Sequence, residues 1–325
     1  MPDQAKPRNQ KRIGVAAAVL GGLGVAVQSK INGALGSRLS DGFAAALISF
    51  GSGLILVGLI VAAQPAARVG IRRVRAAVRF GDLRFYQCLG GTCGALLVAS
   101  QGLTVSILGV ALFTVAVVGG QTLASLVVDR LGLGPAGAQP LTWPRVASAG
   151  IAIVAVLVAV GDRIAAPSAA AVAILPAIAG AGTAWQQAVN GRVRGAADSA
   201  MTATLINFVA GTTALLLAFA VDVLVRGWPT GQLPANPVYY IGGSLGVVFI
   251  AIAAAVVRHT GVLLLGLSMV AGQLIGALMI DLVVPGPEGR PGVNTLIGVA
   301  LTLIAVGVAG MRVGSRDRER EPVGV

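Results

Sequence analysis

Two short segments of the chain carry the same pair of side-chain amides in apolar surroundings. The segments read VQSKING and WQQAVNG, and both contain the pattern Gln-x-x-x-Asn-Gly, with Gln28 and Asn32 in the first and Gln186 and Asn190 in the second. Residues four apart share one face of a helix, so each pair is expected to act together. An amide in hydrocarbon is costly unless it has a hydrogen-bond partner or faces a wet cavity. These amides therefore suit recognition of a neutral or zwitterionic polar solute, or alternatively hydrogen bonding between helices and helix termination at Asn-Gly.

Two glutamines and two aspartates form a second candidate set. Gln121 and Gln273 lie in mid-span, two turns before Asp129 and Asp281, which end their helices. Nothing local requires a mid-helix glutamine, so solute contact is expected of both. A carboxylate at a helix C-terminus opposes the helix dipole and needs a compensating partner. The aspartates are candidate proton sites or gating ion pairs, and a structural salt bridge with an arginine such as Arg130 is the alternative.

A third set of candidates is Ser49 and Asn207, each one residue before a phenylalanine, Phe50 or Phe208. They occupy matching positions near the amide pairs and are expected to line the same pocket. The mid-span polar residues are otherwise amides and hydroxyls, whereas an intramembrane enzyme would need paired His, Asp or Cys side chains at mid-membrane depth. We therefore expect no catalytic residues, no metal site and no cofactor.

The elements that carry these residues are membrane helices. The chain has 325 residues, 56% hydrophobic and 11% charged, whereas about a quarter of an ordinary soluble domain is charged. A membrane-spanning helix needs roughly 20 apolar residues, and several windows of that length or more lack Asp, Glu, Lys and Arg. Among them are 42–67, 85–128, 227–257 and 291–311. The fold class is thus an all-α polytopic membrane protein.

The hydropathy pattern predicts ten transmembrane helices. We place them at 13–34, 42–64, 85–103, 106–128, 144–161, 170–191, 199–221, 238–257, 260–284 and 292–311. The third and fourth spans share one charge-free block that is too long for a single crossing, and we divide it near Gln101–Ser106.

An internal repeat supports this division. At an offset of 158 residues, Gln28, Asn32, Gly33, Ala45, Leu47, Ile48, Phe50 and Gly53 match Gln186, Asn190, Gly191, Ala203, Leu205, Ile206, Phe208 and Gly211. At an offset of 152, Gly90, Gly91, Gly94, Gly109, Gly120, Gln121, Leu126 and Asp129 match Gly242, Gly243, Gly246, Gly261, Gly272, Gln273, Leu278 and Asp281. Shared amides and carboxylates are rare in so apolar a chain, so the two halves are homologous. Because five spans are an odd number, the repeat is inverted, a common construction of secondary transporters.

The distribution of charge sets the expected orientation. With the N-terminus in the cytoplasm, 19 of the 24 lysines and arginines fall on the cytoplasmic side and five on the other. The positive-inside rule then places both termini in the cytoplasm. The predicted organisation is a cytoplasmic N-terminal tail (1–12), a first five-helix repeat (13–163), a second (164–311) and a basic cytoplasmic C-terminal tail (312–325). Within the first repeat, 68–84 forms a basic interfacial segment that resembles a short amphipathic helix.

The repeated motifs resemble a known family. Apolar spans that end in Q-x-x-x-N-G, followed by A-x-L-I-x-F and later by G-Q-x-x-x-x-x-x-x-D, are similar to the drug/metabolite transporter superfamily and its branch of YdcZ-type, EamA-like bacterial permeases. The resemblance covers nearly the whole chain, as two five-span units fused. It implies alternating access around a central cavity lined by the first, third and fourth helices of each half. Small multidrug pumps of the superfamily carry a glutamate in the first helix, where this chain has Gln28, so proton-coupled cation antiport is not expected.

The resemblance and the polar residues together predict a secondary transporter of a small polar metabolite or drug-like solute in the bacterial inner membrane, working as an exporter. A lipid-linked carrier flippase or a non-transporting membrane partner protein is the alternative. The expected partners are the lipid bilayer and a small-molecule solute. Although the formal net charge is +12, the charges flank the spans, so nucleic acid is not an expected partner. A homodimer is left open.

Overall fold

Helices account for almost all of the chain that the structure describes. The structure is a computed structural model, and it describes residues 5–161, 171–260, 262–285 and 289–311. The predicted C-terminal tail and the boundary between the halves at 163–164 lie outside these residues. In chain order the helices are α1 (Ala5–Leu39), α2 (Gly42–Ala63), α3 (Pro65–Phe80), α4 (Gly91–Arg130), α5 (Trp143–Val160), α6 (Ile174–Ala197), α7 (Ala200–Arg226), α8 (Gly242–Thr260), α9 (Val262–Val283) and α10 (Val293–Ala309).

Every predicted span overlaps one of these helices. In the described part of the chain, six stretches are long and apolar enough to cross a membrane, with one shorter apolar helix, Val293–Ala309. The six are Arg12–Leu39, Gly42–Ala63, Phe85–Arg130, Trp143–Val160, Ala200–Arg226 and Leu264–Val283. The first helix begins earlier than expected, at Ala5, so most of the predicted N-terminal tail continues α1 as helix.

The break between the third and fourth spans falls at Gly109, so our division near Gln101–Ser106 was wrong. Gly109 has φ 78° and ψ 165° inside α4, a conformation that essentially only glycine adopts. By contrast, 101–106 is regular helix. We call residues 91–108 α4a and residues 110–130 α4b.

The chain reverses direction at this break. A Cβ at Gly90, just before α4a, would lie 2.8 Å from Val189 of α6, and a Cβ at Gly134, just after α4b, would lie 3.8 Å from Ala188. The two open ends of α4 therefore meet the same stretch of α6, and α4a and α4b form an antiparallel hairpin joined by a single residue.

The two halves pack against each other through reciprocal contacts. Phe50 of α2 and Phe208 of α7 pack against each other at a tilt, with ring centroids 5.1 Å apart. Each ring also fills the space where its partner helix has a glycine, Gly211 against Phe50 and Gly53 against Phe208. These four residues are two pairs of repeat equivalents, so the internal repeat reappears as pseudo-two-fold symmetry in the core.

Two further glycines allow the halves to approach at backbone distance. A methyl group at Gly91 of α4a would overlap the carbonyl oxygen of Asn207 in α7, and one at Gly243 of α8 would overlap the carbonyl oxygen of Ser49 in α2. Small residues are the usual means of close helix packing in membranes, where apolar side chains gain little from leaving lipid.

We expect Gly91→Ala to destabilise the protein by about 1–3 kcal/mol, because the added methyl group meets main chain that cannot rotate away. Gly51→Ala is the matched control, since Gly51 also lies within a helix and has nothing within 4 Å of the added Cβ. The control should melt at or above the wild-type temperature because alanine favours helix over glycine. Thermal unfolding in detergent measures both, and equal melting temperatures for the two variants would contradict the close approach.

Candidate functional site

The first amide pair belongs to a buried cluster on α1 and α4a. Asn32 is fully buried, and its Nδ2 donates a hydrogen bond of 2.7 Å to Oε1 of Gln101. Gln101 Nε2 in turn donates to Oγ of Ser29 at 2.9 Å. Gln28 is also buried, one turn earlier on α1. The predicted pair is therefore extended by two residues that the repeat did not single out, and we call these four residues with Ser49 the first amide cluster.

Two oxygen atoms of the first cluster have no hydrogen-bond partner within the described part of the chain. They are Asn32 Oδ1 and Ser49 Oγ, and both are buried. Both face Gly242 of α8, where a methyl group would lie 2.9 Å from Ser49 Oγ. A Cβ at Gly246, one turn on, would lie 3.5 Å from Gln28 Oε1. Buried polar atoms normally have a hydrogen-bond partner. Because these two oxygens have none among the described residues, each can accept a hydrogen bond from a solute or a water molecule.

The second amide pair converges on one acceptor. Gln186 Nε2 and Asn190 Nδ2, both on α6, donate to Oδ1 of Asn207 on α7 at 2.9 and 2.8 Å. Two glycines at the start of α4 lie against both amides, since a Cβ at Gly94 would be 2.6 Å from Gln186 Nε2 and one at Gly90, just before the helix, would be 2.7 Å from Asn190 Oδ1. We call Gln186, Asn190 and Asn207 the second amide cluster.

The structure places the two amide pairs in separate clusters, one in each half, and does not bring the four amides together. Each pair is hydrogen-bonded within its own half, Asn32 to Gln101 and Gln186 to Asn207. Each is then covered by glycines of the other half, on α8 for the first cluster and on α4 for the second. Both clusters therefore lie at the interface between the halves. One half contributes the hydrogen-bonded side chains, and the other half contributes glycine backbone that packs against them.

The mid-span glutamines differ from each other in their contacts. Gln121 is half-buried, and its Nε2 donates to Oε1 of Gln187 at 3.2 Å. Gln187 follows the second cluster's Gln186 but is exposed. Gln273 is half-buried on α9, where its backbone nitrogen is close to Gly22 of α1. Gln121 therefore lies beside the second amide cluster, while Gln273 lies where α9 packs on α1.

The aspartates also take different roles. Asp129 Oδ2 lies 2.9 Å from Arg145 Nη2, and both side chains are about a third exposed. This is the salt bridge that we had considered, formed with Arg145 of α5 rather than with the adjacent Arg130. An ion pair of this exposure contributes about 0–1 kcal/mol.

Asp281 caps the broken helix. It is buried, and its Oδ2 accepts a hydrogen bond of 2.8 Å from the backbone nitrogen of Ala111, at the start of α4b beyond Gly109. A carboxylate at a helix N-terminus satisfies free backbone N–H groups and complements the dipole. Lys30 lies nearby, its charge acts on Asp281, and its Nζ donates to the carbonyl oxygen of Val284 at 2.9 Å. The Asp281 carboxylate of the second half thus forms a hydrogen bond that links α9 to the α4a–α4b hairpin of the first half.

Residues that sequence reasoning missed lack a repeat partner of their own type. Gln101, Ser29 and Lys30 correspond by the offsets to Ala253, Gln187 and Ala188. The sequence could have indicated these three residues only as isolated polar side chains within apolar helices. Cys88 and Cys93 are both free thiols.

Comparison with known proteins gives a family and a fold. The family model described as "Putative inner membrane exporter, YdcZ" matches the chain twice, at residues 13–158 and 171–308. A solved structure titled "Crystal structure of protein" is similar to this chain with a TM-score of 0.52 at 18% identity, covering 93% of this chain and 96% of the other. At that identity the likeness shows the fold alone. No curated protein sequence matches the chain.

Proposed function

The chain belongs to the YdcZ family of drug/metabolite transporters, multi-pass proteins of the bacterial inner membrane, and from that premise we propose that it exports a small polar solute by alternating access. It does so as a secondary transporter, not as an enzyme. The observation that carries the proposal is the pair of amide clusters at the interface between the halves. Each can open only if one half moves relative to the other, which is the motion that alternating access requires.

The proposed topology has ten spans, with both termini in the cytoplasm. Two five-span repeats, 13–163 and 164–311, then cross the membrane in opposite senses, and the lysines and arginines collect on the cytoplasmic side. The hairpin at Gly109 supports counting α4 as two spans. Helix α3 belongs to neither set of spans and lies along the cytoplasmic face.

In this topology the two clusters lie at opposite depths. Asn32 is seven residues before Leu39, the outer end of α1, and Asn190 is seven residues before Ala197, the inner end of α6. We therefore assign the first amide cluster to the outer gate and the second to the inner gate. As each gate opens, the glycine face of the other half uncovers the amides, and a solute that offers both donors and acceptors can then bond to them, at the outer gate to the unpartnered oxygens Asn32 Oδ1 and Ser49 Oγ.

Glycine faces make this motion feasible. Gly242 and Gly246 line the first cluster and Gly90 and Gly94 line the second. Without side chains to interlock, these faces slide past the amides with little steric resistance. The hydrogen bond between Asp281 and Ala111 joins α9 of one half to α4b of the other. In this proposal it holds the outer gate closed. We propose that Asp281 controls opening on that side and that Asp129 is structural.

The test is a thermal-shift screen of the detergent-purified protein against small polar metabolites, with Gln186→Ala and Asn190→Ala alongside. Gln139→Ala is the control, because the Gln139 amide bonds to Ala136 within its own loop and to no member of either cluster. A solute that stabilises the wild type and the control, but neither cluster variant, supports the proposal. Equal stabilisation of all four proteins would show that the second cluster takes no part in recognition.

Flux measurements then separate export from the alternative. A stabilising solute should cross proteoliposome membranes containing the wild type at least tenfold faster than those containing Asn190→Ala. A flippase would instead scramble labelled lipids, and it requires a lateral opening with basic residues near the headgroups. A groove between α3 and α7 has that composition, but its lining residues include none of the amides. We therefore keep export as the function and treat the groove as a separate site.

A further inference from the structure

An apolar groove of about 880 Å³ lies between α3 and α7, and the short 3-10 helix Phe85–Leu89 contributes to its lining. Ligand pockets commonly measure about 300–1,000 Å³. Its walls are aliphatic and aromatic, formed by Ile71, Val74 and Val78 of α3, Leu205 and Val209 of α7, and Phe85. Phe85 and Val209 are 68% and 47% exposed, so the groove is open along one side.

The α3 wall of the groove is held firmly in place. Thr202 of α7 is fully buried and donates a hydrogen bond of 2.8 Å to the carbonyl oxygen of Ala67 in α3. Gly70 packs directly on Thr202, and Arg73 forms an ion pair of 2.9 Å with Asp198. The groove is thus a feature of the packed fold, and its two walls come from different halves of the protein.

Two arginines at the groove carry charge that the described residues leave unbalanced. Arg75 and Arg79 are one helical turn apart, line the groove and are exposed. No carboxylate of the described residues lies within ion-pairing distance of either, whereas Arg73 on the same helix has Asp198. Thr92 and Thr213 supply hydroxyl groups to the same lining. The groove therefore combines an apolar interior with two free guanidinium groups at its edge.

We propose that this groove binds one anionic phospholipid of the inner leaflet. Its acyl chain lies along the aliphatic walls, and its phosphate accepts hydrogen bonds from Arg75 and Arg79, because guanidinium forks match phosphate oxygens. An anionic headgroup balances one of the two arginine charges, whereas a zwitterionic lipid brings its own cation and balances neither. The assignment to the inner leaflet depends on the proposed cytoplasmic position of α3. A lipid held here contacts both halves and stabilises the arrangement in which α3 lies on α7.

The experiment measures lipid binding directly. The full-length protein in neutral detergent is titrated with phosphatidylglycerol or with phosphatidylcholine of identical chains, and bound lipids are counted by native mass spectrometry. We expect the wild type to retain one phosphatidylglycerol with at least tenfold preference. The double variant Arg75→Gln/Arg79→Gln should lose that preference, since each basic residue near a bilayer surface contributes to attraction of anionic lipid.

Two further variants separate a specific site from general attraction. Arg68→Gln/Arg72→Gln removes two exposed arginines with the same spacing on the same helix that do not line the groove, and it should bind as the wild type does. Thr213→Trp fills the groove from an exposed position and should weaken binding while leaving the charge unchanged. Equal losses in both arginine pairs, equal affinity for the two lipids, or displacement of the bound lipid by inorganic phosphate at an equal concentration would overturn the proposal.

The outcome is independent of the transport assay. A bound lipid without lipid scrambling supports the site and leaves the export proposal intact. Scrambling that requires Arg75 and Arg79 would support occupancy of the groove while contradicting export in favour of the flippase. If no lipid is retained in a well-folded sample, the site is refuted whether or not a solute is transported.

Discussion

Replacing Asn207 with leucine is expected to reduce solute transport at least tenfold and to lower the melting temperature by several degrees. Asn207 Oδ1 is the shared acceptor for Gln186 and Asn190. Leucine has similar volume but no acceptor, so two amide donors would remain in an apolar interface. Leaving a buried donor unsatisfied costs about 1–3 kcal/mol, and the partial exposure of both donors places the effect at the lower end. Flux in proteoliposomes and thermal unfolding measure the two results.

Asn207→Ser is the informative companion variant, because serine is the residue at the equivalent position of the first half, Ser49. Its hydroxyl restores an acceptor on a shorter side chain, so we expect intermediate stability and intermediate flux. If Asn207→Leu transports and unfolds as the wild type does, the second amide cluster is neither a gate nor a structural centre.

Replacing Asp281 with alanine should disrupt the outer gate. The backbone nitrogen of Ala111 loses its acceptor at the start of α4b, and loss of a helix cap costs about 0.5–2 kcal/mol. Lys30 also loses the carboxylate on which its charge acts. We expect lower thermal stability and at least a tenfold loss of flux. Asp281→Asn keeps an oxygen acceptor and removes the charge, so it separates capping from coupling: normal stability with little flux would assign the transport role to the charge.

Asp129→Ala is the matched control, as the same position in the other repeat. Its ion pair with Arg145 is about a third exposed, and such pairs contribute about 0–1 kcal/mol. The control should lose little stability and little flux. Equal effects of the two alanine substitutions would mean that the cap at Ala111 has no special part in the cycle.

The helical membrane fold and the repeat could be predicted because both depend on which residue types occur and at what spacing. Long charge-free windows leave few alternatives to membrane helices, and equivalent pairs such as Gln28 and Gln186 are rare enough to be recognised. The family comparison confirms the resemblance that these motifs indicated. The break within α4 was harder to locate, because many glycines are present and only the backbone conformation distinguishes Gly109.

The partners of the polar residues could not be predicted from the sequence. Asn32 bonds to Gln101, 69 residues away, and Asp281 bonds to Ala111, 170 residues away. The first pairing has no counterpart at the repeat offset, because an alanine, Ala253, stands at the position equivalent to Gln101. The site residues therefore keep their proposed roles, while their hydrogen-bond partners come from the structure alone.

The one-residue reversal at Gly109 has a consequence for how the protein enters the membrane. There is no loop at the hairpin tip for the translocation machinery to hold, and residues 85–128 contain no charged residue to orient them. We expect the two arms to insert together as one unit. By the positive-inside rule, we expect their direction to be set at the open ends, by Arg84 before the hairpin and Arg130 after it.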